Sequence, residues 1–262
     1  MNLNLKDKQA LVCGSTQGIG KAVAMELALM ECNVTLVARD ETALQQTVKE
    51  LTNNGKQKHD YICADFNFPD KLKEQVEKYC KEKGTVHILV NNTGGPQAGP
   101  IVSAEVDEFI KTFNAHLICN HILAQACLEG MKNANYGRII NIISTSVKQP
   151  LKNLGVSNTI RAAVANWAKT LAGEVARFGI TVNNVLPGAT NTERLKQIIN
   201  DKSTKTKKSV DDIAKEMMSE IPAGRFGDAA EVANAVAFLA SPAAAYITGI
   251  NLPVDGGRTG CL

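Results

Sequence analysis

Long apolar runs, paired cysteines and a strong excess of one charge are all missing from this sequence of 262 residues. No stretch approaches the ~20 consecutive apolar residues that a membrane-crossing helix needs. The start of the chain also lacks a charged-then-apolar leader that ends in a small-residue cleavage site. We therefore expect a protein that makes no use of a membrane and works in the cytoplasm.

The seven cysteines are odd in number and scattered, and no two of them form a C-x-x-C pair. They are expected to be small, buried apolar residues in a reducing compartment, and we predict no metal site. The net charge of +3 is too small to predict binding to nucleic acid.

Short apolar runs alternate with amphipathic stretches of helical length. The predicted strands cover residues 10–13, 34–38, 61–64, 86–90, 138–143, 181–186 and 250–254. The predicted helices cover residues 18–30, 41–53, 70–83, 104–131, 153–178 and 229–239. The strands are apolar without strict alternation, as expected where helices cover both faces of a parallel sheet. The pattern predicts an α/β fold of the Rossmann type, a doubly wound seven-stranded parallel sheet flanked by helices, as one domain over 1–262.

A glycine-rich turn lies between the first predicted strand and the first predicted helix. Three glycines there would let a phosphate group approach the backbone N–H groups at the start of the helix. We therefore predict that a dinucleotide binds to this turn, through Gly14, Ser15, Thr16, Gln17, Gly18, Ile19 and Gly20.

The spacing of this turn, G-x-x-x-G-x-G, resembles that of the short-chain dehydrogenase/reductase family, in which T-G-x-x-x-G-x-G is usual and Cys13 takes the place of the threonine. Asn91-Asn92-Thr93-Gly94 resembles the N-N-A-G segment of the family, and Pro187-Gly188 with Thr192 resembles P-G-x-x-x-T. Residues 221–228 and 246–257 resemble 3-oxoacyl carrier-protein reductases. The similarity extends over nearly the whole chain.

This resemblance implies a nicotinamide cofactor and a small-molecule carbonyl or alcohol substrate, with a 3-oxoacyl thioester as the first candidate. It implies further cofactor contacts from Asp65, Asn91, Thr93, Gly94, Pro187, Gly188 and Thr192. It also implies a homotetramer, formed through the predicted helices 104–131 and 153–178 and the C-terminal strand.

The end of the second predicted strand favours NADP(H) over NAD(H). Enzymes for NAD usually place a carboxylate there to bind the ribose 2′-hydroxyl. This chain has Ala38 at that point, followed by Arg39. A guanidinium group is a planar, permanently charged donor that suits a 2′-phosphate.

The family's catalytic set of Asn, Ser, Tyr and Lys is only half present. By resemblance, Asn114 and Ser144 are the asparagine and the serine that holds the carbonyl. Where the tyrosine and lysine are expected, the chain has Ser157 and Arg161, still four residues apart on one helical face. A serine hydroxyl is far less acidic than a phenol, and arginine does not relay protons, although Arg161 can still bind the nicotinamide ribose.

Three explanations of this substitution stay open. A working reductase could take its proton from Ser144, from bound water, or from Lys148 or Lys152, with His116 as a weaker candidate. The chain could instead be a catalytically silent NADP-binding sensor or partner subunit. It could also catalyse another reaction, such as dehydration or epimerisation, on the same scaffold.

The segment at about 190–221 corresponds to the substrate lid of the family. Its lysines could attract an anionic substrate or carrier protein, or they could lie on a solvated helix and loop. The four lysines are Lys202, Lys205, Lys207 and Lys208.

Overall fold

The computed structural model describes residues 1–54 and 56–261. Gly55 and Leu262, which the predicted domain includes, lie outside the described residues. In chain order the strands are Gln9–Cys13 (β1), Asn33–Ala38 (β2), Asp60–Cys63 (β3), Ile88–Asn91 (β4), Gly137–Ile142 (β5), Ile180–Pro187 (β6), Thr190–Asn191 (β7), Gly227–Asp228 (β8) and Asn251–Val254 (β9). The helices are Gly18–Leu29 (α1), Glu41–Glu50 (α2), Pro69–Lys83 (α3), Val106–Phe113 (α4), Cys119–Asn133 (α5), Gly155–Val175 (α6), Glu193–Thr206 (α7), Val210–Ser219 (α8) and Ala229–Ala240 (α9).

Within the described ranges, seven strands form one parallel sheet in the order β3-β2-β1-β4-β5-β6-β9. This arrangement confirms the predicted doubly wound fold. The strand order reverses between β1 and β4, and in such sheets ligands bind at the carboxyl ends of the strands beside the reversal. The two short strands β7 and β8, which the sequence pattern does not predict, pair separately.

Helices cover both faces of the sheet, and two apolar cores result. Val12 of β1 packs with α1 and α9 on one face, whereas its neighbour Leu11 packs with α3 and α5 on the other. This alternation explains why the central strands are largely apolar without strict alternation, since helices cover both of their sides.

Four of the seven cysteines are buried as predicted, namely Cys13, Cys32, Cys119 and Cys127. Cys63 and Cys80 are only half-buried, and Cys261 is exposed. None of the described cysteines is in a disulfide.

The predicted helix 104–131 is wrong in one respect, because the structure divides it. A five-residue π-helical turn, Asn114–Ile118, separates α4 from α5, and the N–H of Cys119 donates to the carbonyl of Asn114. The hydrophobic spacing alone does not reveal the extra residue in this turn. Such turns occur often at functional sites, and this one begins at a predicted site residue.

Four asparagines link four neighbouring strands through their side chains. They are in register, Asn91 with Asn141, Asn141 with Asn184, and Asn184 with Asn251. The Nδ2 atoms of Asn91, Asn141 and Asn184 each donate to the Oδ1 of the next asparagine at 2.8 Å. Since an unpaired amide would be costly inside a sheet, this ladder favours one strand register.

Candidate active site

The glycine-rich turn follows β1 and reaches α1 through tight backbone packing. Gly14 has φ +58°, and its N–H donates to the Val37 carbonyl at 2.8 Å. A Cβ on Gly20 would lie 2.1 Å from the Gly14 carbonyl oxygen, so no larger residue fits there. Asn92 Nδ2 fixes the turn from the neighbouring strand by donating to the carbonyls of Cys13 and Gly14.

The amino end of α1 suits a phosphate group. Its N-cap residue, Gln17, makes no capping hydrogen bond with its side chain, and the first turn holds no acidic residue. The next helix differs, since Asp40 caps α2 by accepting from the Ala43 N–H. The N–H groups of the first turn of α1 are therefore left for a ligand.

Three of the predicted cofactor segments meet at this edge of the sheet. A Cβ on Gly14 would contact Asn92, and a Cβ on Gly18 would lie 3.5 Å from Thr192 Cγ2. Pro187 ends β6, and the Gly188 N–H donates to the Val254 carbonyl at 2.9 Å. Gly94 has open space around a hypothetical Cβ.

The other predicted cofactor residues have different environments. Ser15 is buried and accepts from the Val37 N–H at 3.1 Å, whereas Thr16 and Ile19 are half-buried. Thr93 is half-buried beyond β4. The Asn91 side chain belongs to the amide ladder, and its Oδ1 is a buried atom without a partner among the described residues.

Arg39 and Asp65 follow the neighbouring strands β2 and β3, at the same edge of the sheet. Arg39 is exposed, and its guanidinium makes no ion pair with the described carboxylates. Asp65 is half-buried and accepts from the Asn67 N–H at 2.9 Å. The glycine cradle and the orphaned Asn91 oxygen fit a dinucleotide at this edge of the sheet.

Ser144, Ser157 and Arg161 come together at the carboxyl end of β5. Arg161 Nε donates to Ser157 Oγ at 3.2 Å, and its Nη1 donates to the carbonyls of Ile142 and Ile143 at 3.2 and 2.9 Å. Ser144 follows directly and accepts from the Ser146 N–H at 3.1 Å. Because both serine oxygens already accept from an N–H, each O–H is left to donate.

Burial lowers the pKa of Arg161 to about 10, and the charge of Arg194 contributes. The group remains a cation at neutral pH. Asn114 lies close by: it starts the π-helical turn and lines a shallow hollow with Ile160, the neighbour of Arg161.

His116, which the sequence analysis gives as a weaker candidate for the proton donor, lies against the loop at Gly94. The side chain is 4% exposed, and Nε2 lies 3.1 Å from the Gly94 carbonyl. Because a carbonyl only accepts, Nε2 carries the proton. Burial and then the charge of Arg161 lower the pKa of His116 to about 3. The imidazole is thus neutral at pH 7 and has no acidic proton to give, so it positions the Gly94 loop.

Arg194, in the first turn of α7, is a site residue that the sequence analysis missed. Its Nη2 donates to the Pro96 carbonyl at 2.5 Å. A Cβ on Gly95 would lie 3.4 Å from Arg161 Nη2 and 3.8 Å from Arg194 Nη2. Arg194 and Pro96 are 98 residues apart, so no local sequence pattern predicts their contact, and only the fold reveals it.

No tyrosine of the described chain reaches Ser144. A tyrosine and a lysine four residues apart do occur in α3, but the Tyr79 hydroxyl shares a hydrogen bond of 2.6 Å with Thr35 in the core. Lys83 pairs with Asp60 at 2.8 Å. Of the other proton-donor candidates, Lys148 is half-buried and Lys152 is exposed.

The predicted lid segment folds into β7, α7 and α8 around a small core of Leu195, Ile199 and Ile213. Two of its four lysines are neutralised, since Lys202 and Lys208 both pair with Glu216, at 2.9 and 3.0 Å. In the part of the chain that the structure covers, no helix is both long and apolar enough to cross a membrane.

Comparison with known proteins gives the family. The profile of the family described as Enoyl-(Acyl carrier protein) reductase matches residues 14–259. The chain is 37% identical to a 3-oxoacyl-[acyl-carrier-protein] reductase of Vibrio cholerae, over 97% of this chain and 98% of the relative. It is 36% identical to the protein of the same name from Escherichia coli, with the same coverage.

Solved structures agree with the sequence relatives. L-sorbose reductase from Gluconobacter frateurii, solved with NADPH and L-sorbose, is 28% identical with a TM-score of 0.93 over 100% of both chains. YwfH, an NADPH-dependent reductase involved in bacilysin biosynthesis, is 27% identical with a TM-score of 0.92 over 97% of this chain and 99% of that one. The glycine turn, the sheet order and these relatives agree, and the chain belongs to the short-chain dehydrogenase/reductase family of oxidoreductases.

Proposed function

We propose that the chain is an NADP(H)-dependent oxidoreductase that reduces a carbonyl group to an alcohol with an atypical source of the proton. The observation that carries this proposal is the contact of Arg161 with Ser157, directly beside Ser144. It supports a site in which two hydroxyl donors and one cation surround a carbonyl oxygen that gains negative charge.

The cofactor would lie along the carboxyl edge of the sheet. The glycine turn and the amino end of α1 would hold its diphosphate, and Arg39 would bind the 2′-phosphate. Asp65 and the segments 91–94 and 187–192 would surround the rest, as expected from the resemblance. L-sorbose reductase, solved with NADPH, and YwfH, an NADPH-dependent reductase, support the preference for NADP(H).

A nicotinamide held along this edge would supply the hydride for the carbonyl carbon of the substrate. Ser144 and Ser157 each donate an O–H to the carbonyl oxygen, because their own oxygens accept from Ser146 and Arg161. Arg161 stabilises the negative charge that develops on that oxygen. The alkoxide then takes the proton of Ser157, and solvent water restores it.

The substrate class follows from the relatives in part. Curated relatives are named for 3-oxoacyl groups on a carrier protein, so a 3-oxoacyl thioester is the first candidate, with small ketones, diketones and sugars next. The reaction itself makes no use of the thioester, because only the ketone is reduced.

A homotetramer is part of the proposal. Large apolar side chains are exposed on one short segment that includes α4, namely Ile101, Val102, Val106, Ile110 and Phe113. An apolar surface of this kind marks an interface between subunits more often than a surface that meets water.

The test follows NADPH oxidation by the purified chain over 3-oxoacyl thioesters, diketones and simple ketones, and measures NADPH binding by its fluorescence in parallel. We expect both binding and turnover. Tight binding of NADPH without turnover on any of these substrates would contradict the reductase and favour a silent NADP-binding protein.

A further inference from the structure

Arg161 and Arg194 flank the same short loop, although they come from different sides of the fold. Arg161 lies on α6 and reaches the end of β5, whereas Arg194 lies on α7. Both Nη2 atoms lie within ordinary contact distance of a Cβ on Gly95. Two guanidinium groups therefore meet beside the reacting centre described above.

No described carboxylate compensates this pair. Neither arginine has an Asp or Glu oxygen within 4.0 Å among the described residues. Arg225 and Arg258, in contrast, pair with Glu231 and Glu220. Like charges in a partly buried place disfavour each other, so an anion between them would stabilise the site.

Each guanidinium keeps donors for a ligand. Arg161 uses Nε and Nη1 on Ser157 and on two carbonyls, and its Nη2 has no partner among the described residues. Arg194 uses Nη2 on the Pro96 carbonyl, and its Nε and Nη1 make no hydrogen bond with the described groups. Such planar donors bind a carboxylate or a phosphate group in two-point fashion.

Arg161 holds one side of the pair at the carbonyl donors, since it contacts Ser157 and the Ile143 carbonyl next to Ser144. An anion bound to Arg161 would thus sit beside a carbonyl bound to Ser144 and Ser157. Arg194 lies two residues after Thr192, which faces Gly18 of the phosphate cradle, so the Arg194 variants are measured with NADPH as well as with substrate.

We propose that Arg161 and Arg194 form a subsite for a carboxylate of the substrate, so that the chain acts on oxo acids in preference to neutral ketones, esters and the 3-oxoacyl thioesters named above. The proposal rests on the proposed carbonyl reduction and names its substrate class. Arg194 is then the residue that determines specificity, because Arg161 also serves the reacting oxygen. The lid lysines do not take this role, since Lys202 and Lys208 are already paired with Glu216.

The test compares pairs that differ only in charge, 3-oxobutanoate with its methyl ester and 2-oxobutanoate with its methyl ester. Natural protein should turn over the acid with kcat/KM about tenfold or more above the ester, which corresponds to one charge-assisted contact. Arg194→Gln should lower kcat/KM for the acid and leave kcat/KM for the ester unchanged, so that the preference disappears. Arg194→Lys should restore part of it. Lys196→Gln removes an exposed charge of α7 that pairs with Glu193. This control should change kcat/KM for neither the acid nor the ester.

Calorimetry with 3-hydroxybutanoate and its methyl ester on the NADP⁺-loaded protein provides a readout without turnover. The acid should bind about tenfold or more tightly than the ester to natural protein, and equally to Arg194→Gln. If no substrate is reduced but this binding difference holds, the proposed reaction fails and the subsite stands.

Equal handling of acid and ester by natural protein in both assays would overturn the proposal. It would also be overturned if Arg194→Gln raised the KM for NADPH and left the ratio of acid to ester unchanged. That result would assign Arg194 to a cofactor phosphate.

Discussion

At the scale of single residues, the proposed chemistry depends on Ser157 and Arg161, which stand where the family resemblance predicts a tyrosine and a lysine. The guanidinium is fixed by two carbonyls and one hydroxyl, so in the proposed mechanism it acts as a static cation and not as a relay. Ser157, polarised by that cation, would donate to the substrate. A preorganised set of donors would then replace a single phenol of lowered pKa.

The exposed Arg39 provides a residue-scale prediction about the cofactor. Arg39→Gln should weaken NADPH binding by about tenfold or more, because a charge-assisted contact to the 2′-phosphate is lost, and should leave NADH binding nearly unchanged. Fluorescence titration of both cofactors measures this. Lys49→Gln, on the surface of α2, removes an equal charge as a control, and an equal loss in both variants would refute the assignment.

Gly94 provides a second prediction at this scale. Open space surrounds a Cβ at this position, so Gly94→Ala should leave the free energy of unfolding within about 0.5 kcal/mol. It should nevertheless weaken NADPH binding, because the new methyl group enters the predicted cofactor space. The control is Gly173→Ala, also in open space but on the exposed side of α6. Unchanged binding by Gly94→Ala would exclude this loop from the cofactor site.

At the scale of elements, the sequence predicts the sheet well and the site only in part. The seven main strands end within two residues of their predicted limits, because buried apolar runs and glycine turns are local signals. The π-helical turn at Asn114, the burial of His116 and the meeting of Arg161 with Arg194 are not local. They depend on how α5, α6 and α7 pack, and the sequence of a single helix or strand does not show which elements it packs against.

The exposed apolar segment around α4 provides the prediction for this scale. Ile110 is 53% exposed, and Ile110→Glu should place a charge in the proposed subunit interface, where its burial is unfavourable. Light scattering should show natural protein as a tetramer and the variant as a smaller species. Lys111→Glu, exposed on the same helix, is the control. A monomeric mass for natural protein would remove the homotetramer from the proposal.

For the whole molecule, the buried histidines make stability depend on pH. Burial lowers the pKa of His116 to about 3, and burial with the charge of Lys8 lowers the pKa of His87 to about 4. Unfolded histidine binds a proton near pH 6.5, so the unfolded state binds more protons as the pH falls below that value. Stability should therefore be complete above about pH 6.5 and fall progressively on acidification.

Urea unfolding at about pH 7 and about pH 5 measures this effect. Each histidine should contribute about 1 kcal/mol per pH unit to the decrease. His116→Gln keeps a donor for the Gly94 carbonyl. Its free energy of unfolding should fall less on acidification than that of natural protein, by about 1 kcal/mol per pH unit. An equal decrease in natural protein and variant would mean that His116 is not held neutral by the fold.

The most direct test of carbonyl reduction by Ser157 and Arg161 compares NADPH-dependent turnover by natural protein with that of Ser157→Tyr/Arg161→Lys on the same carbonyl substrates. We expect turnover by natural protein, and a loss of about tenfold or more in kcat for Ser157→Ala because one donor to the developing oxyanion is removed. Turnover by the double variant alone, with natural protein binding NADPH but leaving every substrate unchanged, would contradict this expectation.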